Sequence, residues 1–173
     1  MKYILYDYED VNNNKTLESY ASENTALINA AHPMAKCIGC FKCWLKNPGV
    51  CVFSDQMQHI GTKLLTSEEI IIICKSLYGG FSVNVKRIID RVIPGILPFF
   101  IKQNGELHHK QRYKNSPKIT VLFYNGNEMS ANERAQAEKL LSAAALNFHA
   151  IEHKIIFLDS PQEVLLEAKT WTY

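Results

Sequence analysis

At 173 residues, with 47% hydrophobic and 21% charged residues, the chain has the size and balance of one soluble globular domain spanning residues 1–173. A formal net charge of +2 is too small to argue for nucleic acid, and the longest apolar run, Ile70 to Cys74, stops at Lys75, far short of a membrane span. Five cysteines, four of them clustered, do not suit a secreted disulfide framework, and Tyr3–Tyr6 runs into Asp7 as a strand would and a signal peptide would not; these features favour a reducing cytoplasm.

Along the chain, short apolar runs alternate with helical patterns. Residues 3–8 read as a strand, 11–21 as a short, weakly patterned helix and 25–30 as a second strand. Asp55 reads as the cap of a helix over 55–65, with Met57, Ile60, Leu64 and Leu65 at helical spacing. The third strand, 69–75, and the fourth, 119–124, are apolar on consecutive positions, as expected when both sheet faces are covered. Gly79-Gly80 leads from the third strand into a helix over 82–93, with Val85, Ile88, Ile89 and Val92 on one face. Ser130 and Glu133 form a capping-box pattern opening a helix over 130–147. A strand at 154–158 and a proline-led helix at 161–170 follow.

Strands separated by helices imply right-handed crossovers and a three-layer, doubly wound α/β fold. Its five-stranded parallel sheet takes the order 2-1-3-4-5. Two long insertions interrupt the cadence, at about 31–54 and 94–117. Segments of that length serve a site or an interface, and Pro98-Phe99-Phe100 marks the second as a subunit contact.

Ligands of such sheets bind beyond the carboxyl ends of the strands. Ser76-Leu77-Tyr78-Gly79-Gly80-Phe81 occupies that place after the third strand: glycines let the backbone approach a flat ligand, and the aromatic residues give it surface. A plain strand-to-helix turn capped by Ser82 explains the segment equally well. Tyr124-Asn125-Gly126-Asn127 after the fourth strand is a turn whose amides would meet the polar edge of a ring, or an ordinary turn.

Cys37, Cys40, Cys43 and Cys51 follow the spacing C-x2-C-x2-C-x7-C. Four thiolates at these intervals suit an iron–sulfur cluster; zinc is less natural without two knuckles across a longer gap, and a loop of reduced thiols is the plain alternative. Cys74 lies in a strand and reads as inert. Trp44 and Pro48-Gly49 read as structural. Glu106, His108, His109 and Arg112 together suit acid–base chemistry, phosphate binding or a metal site; adjacent histidines on an extended segment point opposite ways, which disfavours a shared metal and favours hydrogen bonding within the loop or at a dimer contact. Lys86-Arg87 and Asp90-Arg91 read as a solvated helix face, with Lys86 and Asp90 paired at four-residue spacing.

The run from Cys37 through Cys51, then Asp55, a buried strand, Tyr78-Gly79-Gly80 and Lys86…Asp90-Arg91, resembles the flavodoxin-like NAD(P)H-dependent FMN reductase family, in its cysteine-bearing branch related to iron–sulfur flavoproteins. The resemblance covers Lys36 to about Pro117. It implies a flavodoxin-like fold, FMN at the carboxyl edge of the sheet, NAD(P)H as co-substrate and a homodimer or higher homo-oligomer. It implies ring contacts from 76–81 and 124–127, and [4Fe-4S] ligation by Cys37, Cys40, Cys43 and Cys51. Electrons would pass to a small-molecule or protein acceptor, with no nucleic acid or membrane as partner.

One stretch departs from the family pattern. The family places a Ser-, Gly- and Thr-rich loop after the first strand to wrap the FMN phosphate. Here Asp7, Glu9 and Asp10 would repel a phosphate and no glycine occurs, leaving Asn12–Asn14, Lys15 and Thr16 as partial substitutes. Three functions follow: an FMN-dependent oxidoreductase, an iron–sulfur electron-transfer protein, or a cofactor-free interaction module.

Overall fold

The computed structural model describes residues 1–8, 17–19, 21–103 and 105–168. Strands β1 (Lys2–Tyr6), β2 (Thr25–Asn29), β3 (Glu69–Lys75), β6 (Lys118–Tyr124) and β7 (Glu152–Phe157) form a parallel sheet in the order β2-β1-β3-β6-β7. This is the 2-1-3-4-5 order expected from the cadence. The consecutive apolar positions of β3 divide between two cores. Ile70, Ile72 and Cys74 meet Leu64, Val85, Ile88 and Leu141 on one face. Ile71 and Ile73 meet Leu17, Val164 and Ala168 on the other. Alternation along a strand buried on both sides requires this division.

The helices differ from expectation mainly at their starts. The helix expected from Asp55 begins five residues later, as α2 (Ile60–Leu65); the Asp55 carboxylate accepts from the nearby Met57 amide and from the distant Ala35 amide and Arg91. Helix α3 (Val83–Ile89) is capped by Ser82 and continues as a 3₁₀ turn through Asp90–Gly95. Helix α4 (Ala131–Asn147) begins with the predicted capping box, and α5 (Pro161–Ala168) packs on the opposite sheet face. Most of the helix expected over 11–21 lies outside the described residues.

The two insertions have structure of their own. The first contains a single helical turn, α1 (Lys42–Leu45). The second is an antiparallel hairpin, β4 (Ile96–Gln103) with β5 (Glu106–Gln111), whose register shifts between Ile96 and Phe100, around Pro98. Proline breaks a ladder in this way because it has no amide to donate.

Helix α2 and the 3₁₀ turn touch through glycine. A Cβ on Gly95 would stand 2.6 Å from the Gly61 carbonyl oxygen, and one on Gly61 would stand 2.6 Å from the Gly95 nitrogen. Backbone cannot yield there as a flexible side chain would. Gly95→Val should therefore destabilise the fold by about 1–3 kcal/mol through overpacking. Urea unfolding reads this as a lower midpoint at unchanged slope; an unchanged midpoint would refute the contact.

Candidate functional site at the carboxyl edge

Strands β3 and β6 end side by side, Lys75 opposite Tyr124, so the segments that follow them leave the sheet together. Between them lies a solvent-open cleft of about 230 Å³ lined by Lys75, Ser76, Leu77, Tyr78, Asn125, Glu128, Met129 and Glu133. The Ser76 hydroxyl is buried and has no hydrogen-bond partner among the described residues. Buried polar groups are nearly always hydrogen-bonded, so an unpartnered hydroxyl in a residue lining this cleft stands out. Tyr78 is 88% exposed and has φ +52°; Asn125 has φ +58°. Left-handed backbone at non-glycine residues costs energy and clusters at ligand sites. Glu128 is held by Lys75 at 2.8 Å and by the Asn125 amide at 3.2 Å.

The remaining residues read from sequence as ring contacts are placed elsewhere. Gly79 packs its backbone on α4, where a Cβ would stand 2.5 Å from the Glu133 carbonyl oxygen, and its φ is +80°. Gly80 closes a small bridge with Leu77. Phe81 packs toward Phe123, with ring centroids 6.1 Å apart. Tyr124 is buried on the α5 side: its hydroxyl donates to the Asp7 carbonyl at 2.8 Å and its ring stacks on Tyr8. Gly126 is also buried, its amide donating to the Leu158 carbonyl, whereas Asn127 is exposed. Ser76, Leu77, Tyr78 and Asn125 thus line the cleft, and the others shape it or face away.

Asp7, at the end of β1, accepts from the Ser82 hydroxyl at 2.6 Å and the Asn84 amide at 3.1 Å. Its carboxylate is committed to the start of α3. The rest of the predicted phosphate loop, including Thr16, lies outside the described residues.

The four clustered cysteines line one small apolar cavity with Ile38, Phe41, Phe53 and Arg91, enclosing only about 20 Å³. Among the described residues no three His, Cys, Asp or Glu side chains are gathered as a metal site. The expected meeting of Cys37, Cys40, Cys43 and Cys51 around a metal is therefore absent from this arrangement. Burial raises the Cys43 thiol, and Cys51 reinforces the shift. Cys74 is fully buried, and desolvation pushes it up to about 12, in keeping with an inert core thiol.

The residue that sequence reading missed is Arg91. Expected on a solvated face, it is 1% exposed. Its guanidinium donates to Asp55 at 2.5 Å, to the Ala35 carbonyl at 3.2 Å and to the Phe53 carbonyl at 3.5 Å. Arg87 donates to the Met34 carbonyl at 2.6 Å. The two arginines bind both ends of the cysteine loop. Lys86 and Asp90 do pair on the surface, as expected. Burial works against the charge of Arg91, and the Asp55 hydrogen bond and the neighbouring Cys51 outweigh it.

His108 and His109 do diverge. The His108 Nδ1 meets the Asn147 side-chain oxygen at 3.2 Å, whereas the His109 Nδ1 donates to the Leu97 carbonyl at 2.9 Å. Arg112 donates to the Pro94 and Ile96 carbonyls. All three brace the hairpin.

Neither a protein-family model nor a curated protein matches the sequence. Solved structures do match. An NAD(P)H:quinone oxidoreductase from Methanothermobacter marburgensis superposes with TM-score 0.64 at 13% identity, over 99% of this chain and 94% of that one. An NADPH-quinone reductase from P. pentosaceus gives 0.55 at 14%, over 99% and 96%. An FMN-dependent NADH-azoreductase from Bacillus anthracis, in complex with FMN, gives 0.54 at 12%, over 99% and 95%. The fold is flavodoxin-like. Among the described residues of this flavodoxin-like chain, no helix is long and apolar enough to cross a membrane.

Asp55 provides a pH test of the loop anchor. Burial opposes its charge, but hydrogen bonds from Arg91 and from the Ala35 and Met57 amides hold its carboxyl below the ordinary value of 3.8. A depressed folded value gives stability that is complete above the unfolded value and lost as pH falls through the folded one. The stability curves of the parent and Asp55→Asn should separate above about pH 4 and converge in acid. Urea midpoints across that range check it, and parallel curves would exclude the anchor.

Proposed function

We propose that the chain is an FMN-dependent oxidoreductase that takes hydride from NAD(P)H and passes electrons to a small-molecule or protein acceptor in the cytoplasm. The observation that carries this reading is the unpartnered Ser76 hydroxyl beside the cleft that the β3 and β6 loops line, together with the exposed Tyr78. The fold places that cleft where doubly wound sheets bind their ligands. The structural likeness to quinone and azo reductases, one of them in complex with FMN, gives the reading its chemical class.

The residues lining the cleft fit a flat heterocycle with a polar rim. Bound FMN would supply the capacity to accept a hydride and release electrons. The chain would supply the rest. Ser76 would hydrogen-bond the polar edge, Tyr78 would cover an exposed face, and Asn125 would hold the second loop in register. Gly79, seated on α4, would fix the height of the Tyr78 loop above the sheet.

Equilibrium dialysis of the protein with FMN tests this directly. Retained flavin with a perturbed absorption spectrum is the expected result. Ser76→Ala should weaken binding about 2- to 10-fold through one lost hydrogen bond. Gly79→Val should abolish binding while the sheet's circular dichroism survives. A folded protein that rejects excess FMN would sink the reading and favour a cofactor-free interaction module.

A second reading is electron transfer through an iron–sulfur cluster on Cys37, Cys40, Cys43 and Cys51. It rests on the four thiols lining a common cavity beside the buried cation Arg91. The donor set suits a cluster, but about 20 Å³ does not, being close to the space one water needs. The residues as arranged do not fit the group. Anaerobic, iron-replete protein should accordingly lack acid-labile sulfide, and the Cys40→Ser variant should match it. Iron and sulfide present in the parent and lost in Cys40→Ser would instead establish the second reading.

A further inference from the structure

The cleft leaves the four clustered thiols without a task. All four line one cavity with Arg91, and its enclosed space of about 20 Å³ is too small for a cluster. Two sulfurs that bond to each other need no guest between them. The fold favours one pair. Cys43 lies in α1, and the chain turns back soon after it: the Gly49 amide donates to the Cys43 carbonyl at 3.0 Å, with φ +88° at Gly49. Cys51 follows two residues later. Its backbone is held by Gln58, whose carbonyl accepts from the Cys51 amide at 3.1 Å and whose side-chain amide donates to the Cys51 carbonyl at 3.3 Å. Both thiols are half-buried, whereas Cys37 is exposed. Burial raises the Cys43 thiol first, and among the other cysteines Cys51 adds most to the shift.

A second, independent observation lies in the wall of the cavity. Arg91 is 1% exposed, and its Nε has no hydrogen-bond partner among the described residues. Its other two nitrogens donate to Asp55 and to the Ala35 and Phe53 carbonyls. Burial works against its charge, and after Asp55 it is Cys51 that supports the charge most. An unsatisfied cationic donor beside a half-buried sulfur is the kind of surrounding in which thiols react with oxidants.

We propose that Cys43 and Cys51 form a reversible disulfide with hydrogen peroxide as the oxidant, which makes the cysteine loop a peroxide-responsive site. First, the Cys51 sulfur attacks one peroxide oxygen and the O–O bond breaks. Water leaves with the thiol proton, and Cys51 becomes a sulfenic acid. The Cys43 sulfur then attacks the Cys51 sulfur, the S–O bond breaks, and a second water leaves with the Cys43 proton. Together the two thiols lose two electrons, and the peroxide gains them. An external thiol restores the pair by exchange. The size of the cavity selects the oxidant: peroxide is two oxygen atoms long, whereas an organic disulfide far exceeds about 20 Å³. The inference does not depend on which cofactor the cleft holds.

Mass spectrometry of the whole reduced chain tests it, after an equimolar pulse of hydrogen peroxide without air and alkylation of the remaining thiols. The parent should lose the mass of two hydrogens and regain it with dithiothreitol. Trypsin cuts after Lys42, Lys46 and Lys63, so the disulfide should join peptide 43–46 to peptide 47–63, while Cys37 and Cys40 stay together in peptide 37–42. Cys43→Ser should stop at the Cys51 sulfenic acid, trapped by dimedone. Cys51→Ser should form no crosslink and take up dimedone roughly 10-fold less. Cys40→Ser should crosslink as the parent does. A parent that keeps all its thiols overturns the proposal, as does a crosslink through Cys37 or Cys40, or one that joins two chains. Iron and acid-labile sulfide in the purified parent overturn it too, because the thiols would then be ligands.

Discussion

The ion pair between Arg91 and Asp55 is the contact on which the upper half of one sheet face depends. The cysteine loop has only one helical turn, so its backbone cannot satisfy itself by regular pairing. Arg91 supplies donors from beneath to carbonyls at both ends of the loop, and Asp55 supplies acceptors to the Ala35 and Met57 amides. Each partner satisfies backbone groups as well as the other's charge. Removing one partner of such a buried pair leaves the other charge stranded.

At the carboxyl edge a different constraint operates. Because β3 and β6 end in register, the chain after each must turn in the same small volume. One turn does so at Tyr78 and the other at Asn125, each by left-handed backbone, and Gly79 comes so close to α4 that no side chain is accommodated. The cleft results from two strained turns held apart by one helix.

Much of this could be read in the sequence. The strand order followed from apolar runs separated by helical spacing, and the α4 cap from Ser130 and Glu133. The misreadings have specific physical causes. Asp55 looked like a helix cap because short acidic residues cap helices; one of its oxygens does accept from the Met57 amide, while the other reaches a distant arginine. Arg91 looked solvated because Lys86 and Asp90 pair on the surface, yet the tightening to a 3₁₀ turn at Asp90 puts the next residue inward. The hairpin escaped notice because Glu106, His108, His109 and Lys110 give it no clean alternation. Tyr124 was legible after all: it shares parity with Leu122, and strand alternation places both on the face away from Phe123.

Trp44 has one further consequence. It is one of two tryptophans in the chain, and its indole is pinned between two carbonyls of a neighbouring segment and flanked by Phe41 and His109. An indole held this way is shielded only while the cysteine loop is seated. Its fluorescence is thus an intrinsic optical gauge of loop docking, and of anything that presses on that surface, without a label or a change of residue.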